Sequence, residues 1–169
     1  MKKLKEPPAN TAKPFEDTGK SDTIELRIFR TIDDPMREVT GAGLISHPNE
    51  IKVIIEDLEN SGVEIEYRPN AMGYMPSPTR GKAGKLVIDE EASYSAWKHE
   101  YIHFTDDRED GYIGLRAFAD SEKCKQREMH AYDVEIELAK EARRPDIVER
   151  LKALKIEEMA KYEQNADID

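Results

Sequence analysis

The sequence predicts a single α+β domain in which a short mixed sheet packs on one helix and two long C-terminal helices follow. Two kinds of pattern predict it. Short runs such as Thr23–Arg30 and Val63–Tyr67 alternate apolar and polar side chains, the period of a half-buried strand. Longer stretches free of Pro and Gly, such as Glu91–Asp107 and Glu122–Ala142, carry apolar residues at helical steps of three and four. At 169 residues the chain is long enough for one domain with a sizeable core.

Asp and Glu number 36 against 26 Lys and Arg, for a formal charge of −10. That excess argues against nucleic acid or an anionic membrane surface as a partner. Cys124 is the only cysteine, which excludes an internal disulfide. The charged start Met1-Lys2-Lys3-Leu4-Lys5 is followed by Glu6-Pro7-Pro8 and not by an apolar run. Neither a signal peptide nor a membrane span is therefore expected. The expected location is cytoplasmic, or exported without a classical signal peptide.

Taken in order, residues 1–21 are rich in Lys, Pro, Thr, Asp and Ser and read as a disordered lead-in or linker, with 22–169 forming the domain. Thr23–Arg30 is the first predicted strand, broken by Asp33-Asp34-Pro35. Gly41–Ile45 reads as a flexible turn or a short extended piece. A helix then runs from the His47-Pro48 start to about Asn60, with Ile51, Ile54, Ile55 and Leu58 as its stripe and Ser61-Gly62 as its stop. His47 precedes it, in a solvated or capping role. Val63–Tyr67 is the second strand, ended by Pro69. Asn70–Gly84 holds three glycines and two prolines and reads as a loop. Lys85–Asp89 is a short apolar strand that feeds the next helix; as a sheet edge it would accept an extended peptide. Beyond that helix, Asp106–Gly111 reads as a solvated exit and Tyr112–Ser121 fits neither period. Pro145 opens the last helix, to about Gln164, whose apolar positions Ile147, Val148, Leu151, Leu154, Met159 and Tyr162 read as core or as a docking face.

The helix Glu91–Asp107 carries His99-Glu100-Tyr101-Ile102-His103, an H-E-x-x-H pattern. Positions i and i+4 share a helix face, so the two imidazoles can aim at one point. Two imidazoles and one further donor make an open zinc site. Glu100, beside the first ligand, is placed to act as general base. A third ligand six residues beyond His103 would fall at Glu109, but Asp106 stands where the turn needs Gly, and Glu109 is not His. Glu128 is the better candidate, because small Ala131 on the same face lets its helix come close. His130 is the alternative, about 200° around the helix from Glu128. Asp133 and Glu135 are candidates for orienting a ligating imidazole. Tyr74, Tyr112, Tyr132 and His130 are candidates for donating to a tetrahedral oxyanion. Cys124 reads as a spectator thiol.

The strand Leu86–Ile88, the helix with His99–His103 and the helix with Glu128-Met129-His130-Ala131 together resemble a zincin metallopeptidase of the glutamate-ligand type. Over about residues 63–142 the chain is most similar to the compact zincin-like domains of bacterial polymorphic toxins and phage-associated proteins. The segment Tyr74-Met75-Pro76-Ser77 also looks like the upstream part of those domains. The resemblance implies zinc held by His99, His103 and Glu128, with Glu100 as the base. It implies hydrolysis of a peptide bond in a protein or peptide substrate, and a toxin- or effector-type protease. One departure stands out: the thermolysin-like pattern has Asp four residues after the glutamate ligand, where this chain has Tyr132. Two rival readings accompany it. One is an inactive zincin-like domain serving as an interaction module through its acidic helices; the other is an enzyme using the same site on a non-peptide bond.

Overall fold

The structure, a computed structural model, describes residues 33–166. The expected lead-in and the expected strand Thr23–Arg30 lie outside the described residues. The described chain is α+β. Its elements run α1 (Arg37–Thr40), α2 (Gly43–Ser46), α3 (Pro48–Asn60), β1 (Glu64–Tyr67), β2 (Met72–Met75), β3 (Lys85–Ile88), α4 (Tyr94–Glu109), a 3-10 turn (Gly114–Phe118), α5 (Ser121–Glu141) and α6 (Pro145–Ala166). No helix among the described residues is long and apolar enough to cross a membrane.

Pro48 occupies the first turn of α3, where its missing N–H costs nothing. The helix buries Ile51, Ile54 and Leu58, and Gly62, at φ 85°, turns the chain out of it. The stretch expected to be a flexible turn at Gly41–Ile45 is helical at Gly43–Ser46 instead. Gly43 serves close approach there: its N–H donates to the Ala92 carbonyl at 2.8 Å, and a Cβ would stand 2.8 Å from the Tyr94 nitrogen.

β3 lies in the middle of the sheet, parallel to β1 and antiparallel to β2. The mixed sheet is as expected, but the expectation that β3 offers an edge to a peptide is wrong: the edges are β1 and β2. Nor is Asn70–Gly84 a loop throughout, because β2 lies within it. Gly73 and the neighbouring prolines hide this strand from a propensity reading, and tertiary partners create it. Gly84 closes the hairpin because any Cβ there would collide with the Met75 carbonyl.

The main core joins Ile51 and Leu58 of α3, Leu86 and Ile88 of β3, and Trp97 and Phe104 of α4, all at most 1% exposed. Each such aliphatic or Phe side chain stabilises the fold by about 1.5–3 kcal/mol. A second cluster, with Ile136, Ala139, Ile147 and Leu151, fastens α6 to α5. Between the two, α4 packs against β2 on one side and α5 on the other. Ser93 caps α4 by accepting from the Ala96 N–H at 3.1 Å, and is itself held by Asp34, which accepts from its N–H and its hydroxyl. At the far end the helix continues to Glu109, into the expected solvated exit. Asp107 is fully buried there because its carboxylate accepts from the Tyr74 hydroxyl at 2.6 Å.

Candidate metal centre

One turn of α4 separates His99 from His103, and their rings meet edge to face with centroids 4.9 Å apart. Across the interface, fully buried Ala131 lets α5 come close enough to bring Glu128 between them. Glu128 Oε2 lies 3.5 Å from His99 Nε2, and Oε1 lies 3.3 Å from His103 Nε2. The three donors all fall within 4.8 Å of one another. Two atoms that each stand about 2.0–2.2 Å from a tetrahedral ion are roughly 3.3–3.5 Å apart. The two His–Glu separations are of that size, so the group could hold a metal ion.

The far side of His99 is equally constrained. Its Nδ1 lies 2.7 Å from Glu135 Oε1, while Glu135 Oε2 accepts from the Ser95 hydroxyl at 2.8 Å. Next to a buried carboxylate Nδ1 carries a proton, so Nε2 is the nitrogen that a cation would bind in place of its own proton. Glu100, 2% exposed, turns toward the sheet: its Oε2 accepts from the Tyr74 N–H at 2.8 Å.

The electrostatics show what this cluster needs. Burial pushes His99 toward its neutral form, but Glu128 and then Glu135 outweigh it and hold the imidazole well above its ordinary value. Burial likewise disfavours charged His103, and Glu128 again prevails and raises it. Burial would raise Glu128, yet the two imidazoles, His103 foremost, hold it far below the usual carboxylate range. Positive charge is thus drawn to one point by a buried carboxylate, and a cation there satisfies all three groups at once. Glu100 is raised, chiefly by burial, and the neighbouring imidazoles only partly offset it. A carboxylate shifted in that direction is better suited to accept a proton.

The other expected site residues divide. Tyr132 packs edge-on against the His99 ring at 5.0 Å and lines the cavity. Glu135 orients His99, seven residues after Glu128, in the role that the thermolysin-like pattern gives to the residue at position four. Asp133, the other candidate for that role, is exposed and pairs with Lys155 at 2.5 Å. His130 lies outside the three-donor group: it is exposed and stands 3.3 Å from Asp106, further along α4 than the two ligand histidines. The Tyr74 hydroxyl is not available to a substrate, since it donates to Asp107 and accepts from the Gly84 N–H at 3.0 Å. Tyr74 serves the site through its backbone instead. Tyr112 packs against the main core and does not line the cavity. His47 is not a side-chain cap; it stacks on Tyr94 at 4.4 Å. Cys124 lies at the cavity wall with its thiol toward the Ala117 carbonyl, outside the three-donor group.

The donors open into a cavity of about 590 Å³. Its walls include Gly73, Tyr74 and Pro76 from the β2 side, Phe118 from the 3-10 turn, Arg127 from α5, and Glu157, Glu158 and Tyr162 from α6. Tyr162 and Arg127 escaped sequence reasoning. Tyr162 lay in an apolar stripe indistinguishable from core packing, and the neighbour of Glu128 carried no signal of its own. Compared with protein-family models, curated proteins and solved structures, the chain has no significant match.

Proposed function

We propose that this protein is a zinc-dependent peptidase with a zincin-like site, in which His99, His103 and Glu128 hold the ion and Glu100 is the general base. The observation that carries the proposal is the meeting of two Nε2 atoms and one carboxylate at ligand spacing, with Glu100 on the same cavity wall. A donor set of two His and one Glu is characteristic of catalytic zinc. When bound, the ion would polarise a scissile carbonyl and make water acidic enough to lose a proton near neutral pH. Glu100 accepts that proton and returns it to the leaving amine. The Tyr74 N–H bond keeps the Glu100 carboxylate fixed at the cavity wall. That same N–H points away from β3, so the Tyr74 carbonyl, on the same side of the strand, faces outward as well. With the N–H committed to Glu100, that carbonyl is the backbone group an extended peptide along β2 would pair with as it runs past the ligands. Tyr132 and Tyr162, whose hydroxyls have no hydrogen-bond partner among the described residues, are the cavity side chains placed to donate to a developing oxyanion. The resemblance to compact toxin-type zincin domains points to an effector-type protease acting on a protein.

Glu100→Gln tests the proposal directly. The variant should retain one zinc per chain by elemental analysis and lose roughly a hundred- to ten-thousand-fold in peptide hydrolysis. Hydrolysis at the parent rate with Gln at this position would sink the assignment.

A further inference from the structure

We infer that the wall of the cavity formed by the β2–β3 loop and the 3-10 turn binds an acidic, partly apolar peptide segment. This defines the substrate class of the peptidase reading above and rests on it.

The two stretches form one surface. The Gly81 N–H donates to the Tyr112 carbonyl at 2.8 Å. Gly114, at φ 75°, sits so close that a Cβ would lie 3.1 Å from the Ser77 carbonyl and within 4 Å of the Arg80 backbone. The surface runs into the site itself, because Pro76 from the loop and Phe118 from the turn line the same cavity as the ligands.

Its charge reverses that of the whole chain. Residues 76–84 and 112–119 hold Arg80, Lys82 and Arg116 and no Asp or Glu, in a protein of net charge −10. All three cations are exposed, and none of their side chains has an ion pair or hydrogen bond among the described residues. Many cations elsewhere on the surface are engaged, as Arg108 is with Asp57, Lys155 with Asp133 and Arg150 with Asp33. Beside them, Leu115 and Phe118 are 47% and 49% exposed. From α6 the cavity receives Glu157 and the Lys161–Glu158 ion pair, which leaves no unpaired cation there. A peptide that leaves the cavity past Pro76 and Phe118 therefore meets unpaired cations and apolar contacts together. Carboxylates interspersed with apolar side chains complement the loop wall. A nucleic acid would meet the same three cations, but the net charge of −10 would repel its backbone.

The test uses the full-length, zinc-loaded Glu100→Gln protein, which holds a peptide without consuming it. Three fluorescein-labelled probes are compared by anisotropy at low ionic strength: a short Glu–Leu alternating peptide, the matching Lys–Leu peptide, and a single-stranded DNA of similar length. The Glu–Leu peptide should bind about tenfold or more tighter than the Lys–Leu peptide, and added salt should shrink the difference. The triple substitution Arg80→Glu, Lys82→Glu, Arg116→Glu should reverse the order. Should that variant fail to fold, the triple substitution to Ala should abolish the preference without reversing it. Equal binding of both peptides, a preference that survives the substitutions, or tighter binding of DNA would overturn the inference. So would self-association of the parent protein through this wall, seen as a dimer that the substitutions dissolve. Acidic preference in a protein whose Glu100 parent cleaves nothing would uphold the wall and overturn the peptidase reading. Cleavage with no acidic preference would do the converse.

Discussion

Trp97 and Phe104 on one side of α4, His99 on the other, and Glu100 between them are buried to nearly the same degree, at 0–2% exposure. Their surroundings are opposite. The aromatic pair sits among Ile51, Leu58, Leu86 and Ile88, where burial itself is the stabilisation. The polar side gathers His99, Glu100, His103, Glu128 and Glu135, where burial of each charge is unfavourable unless another compensates it. The apolar face folds the helix and fixes its position, and the polar face spends part of that stability on holding donors together. A buried cluster of this composition is costly for a fold and useful for chemistry.

Breaking the apolar side should have the largest effect. Trp97→Ala removes a fully buried ring and should cost about 3–5 kcal/mol by chemical denaturation. A loss below about 1 kcal/mol would mean that the α4–sheet packing is looser than described.

On the polar side, Glu135→Gln should lower zinc affinity roughly ten- to a hundredfold in a chelator competition, since the carboxylate that orients His99 becomes a weaker acceptor. Asp133→Asn, two residues away and facing Lys155, should leave the affinity at the parental value. Equal effects of the two substitutions would contradict the distinction between them.

The smallest effect belongs to the outer rim of the apolar side. The Tyr101 hydroxyl, and after it Arg108, hold Asp57 below its ordinary value of 3.8. A carboxylate lowered by folding contributes stability above its unfolded value and loses it as pH falls through the lower folded value. Asp57→Asn should therefore cost under about 1 kcal/mol near neutral pH, because the pair is partly solvated. The difference from the parent should close below pH 3.8. A gap that widens in acid would reverse the sign assigned to this group.

The two faces were not equally legible in the sequence. H-E-x-x-H is local, and helical geometry alone places both imidazoles on one face. Glu128 followed from the need for a further donor and from small Ala131 beside it. Glu135 was legible only as one of two candidates, because helix register decides between positions 133 and 135 and the packing angle of α5 decides register. β2 was not legible at all. Its residues Met72-Gly73-Tyr74-Met75 pair with β3 and reach Glu100 through backbone atoms, which leave no mark in side-chain pattern. The same limit misplaced the sheet edge. Pairing order depends on contacts between distant segments, and β3 looks like an edge only while β2 is unseen. Asp107 was read as solvent-exposed for a related reason, since its partner Tyr74 lies 33 residues earlier.

The most direct measurement is anomalous diffraction at the zinc edge from crystals of the protein grown with one equivalent of zinc. A single strong peak is expected about 2.0–2.2 Å from His99 Nε2, His103 Nε2 and a Glu128 carboxylate oxygen. A peak at other residues, or none between these three side chains, would contradict the ligand assignment.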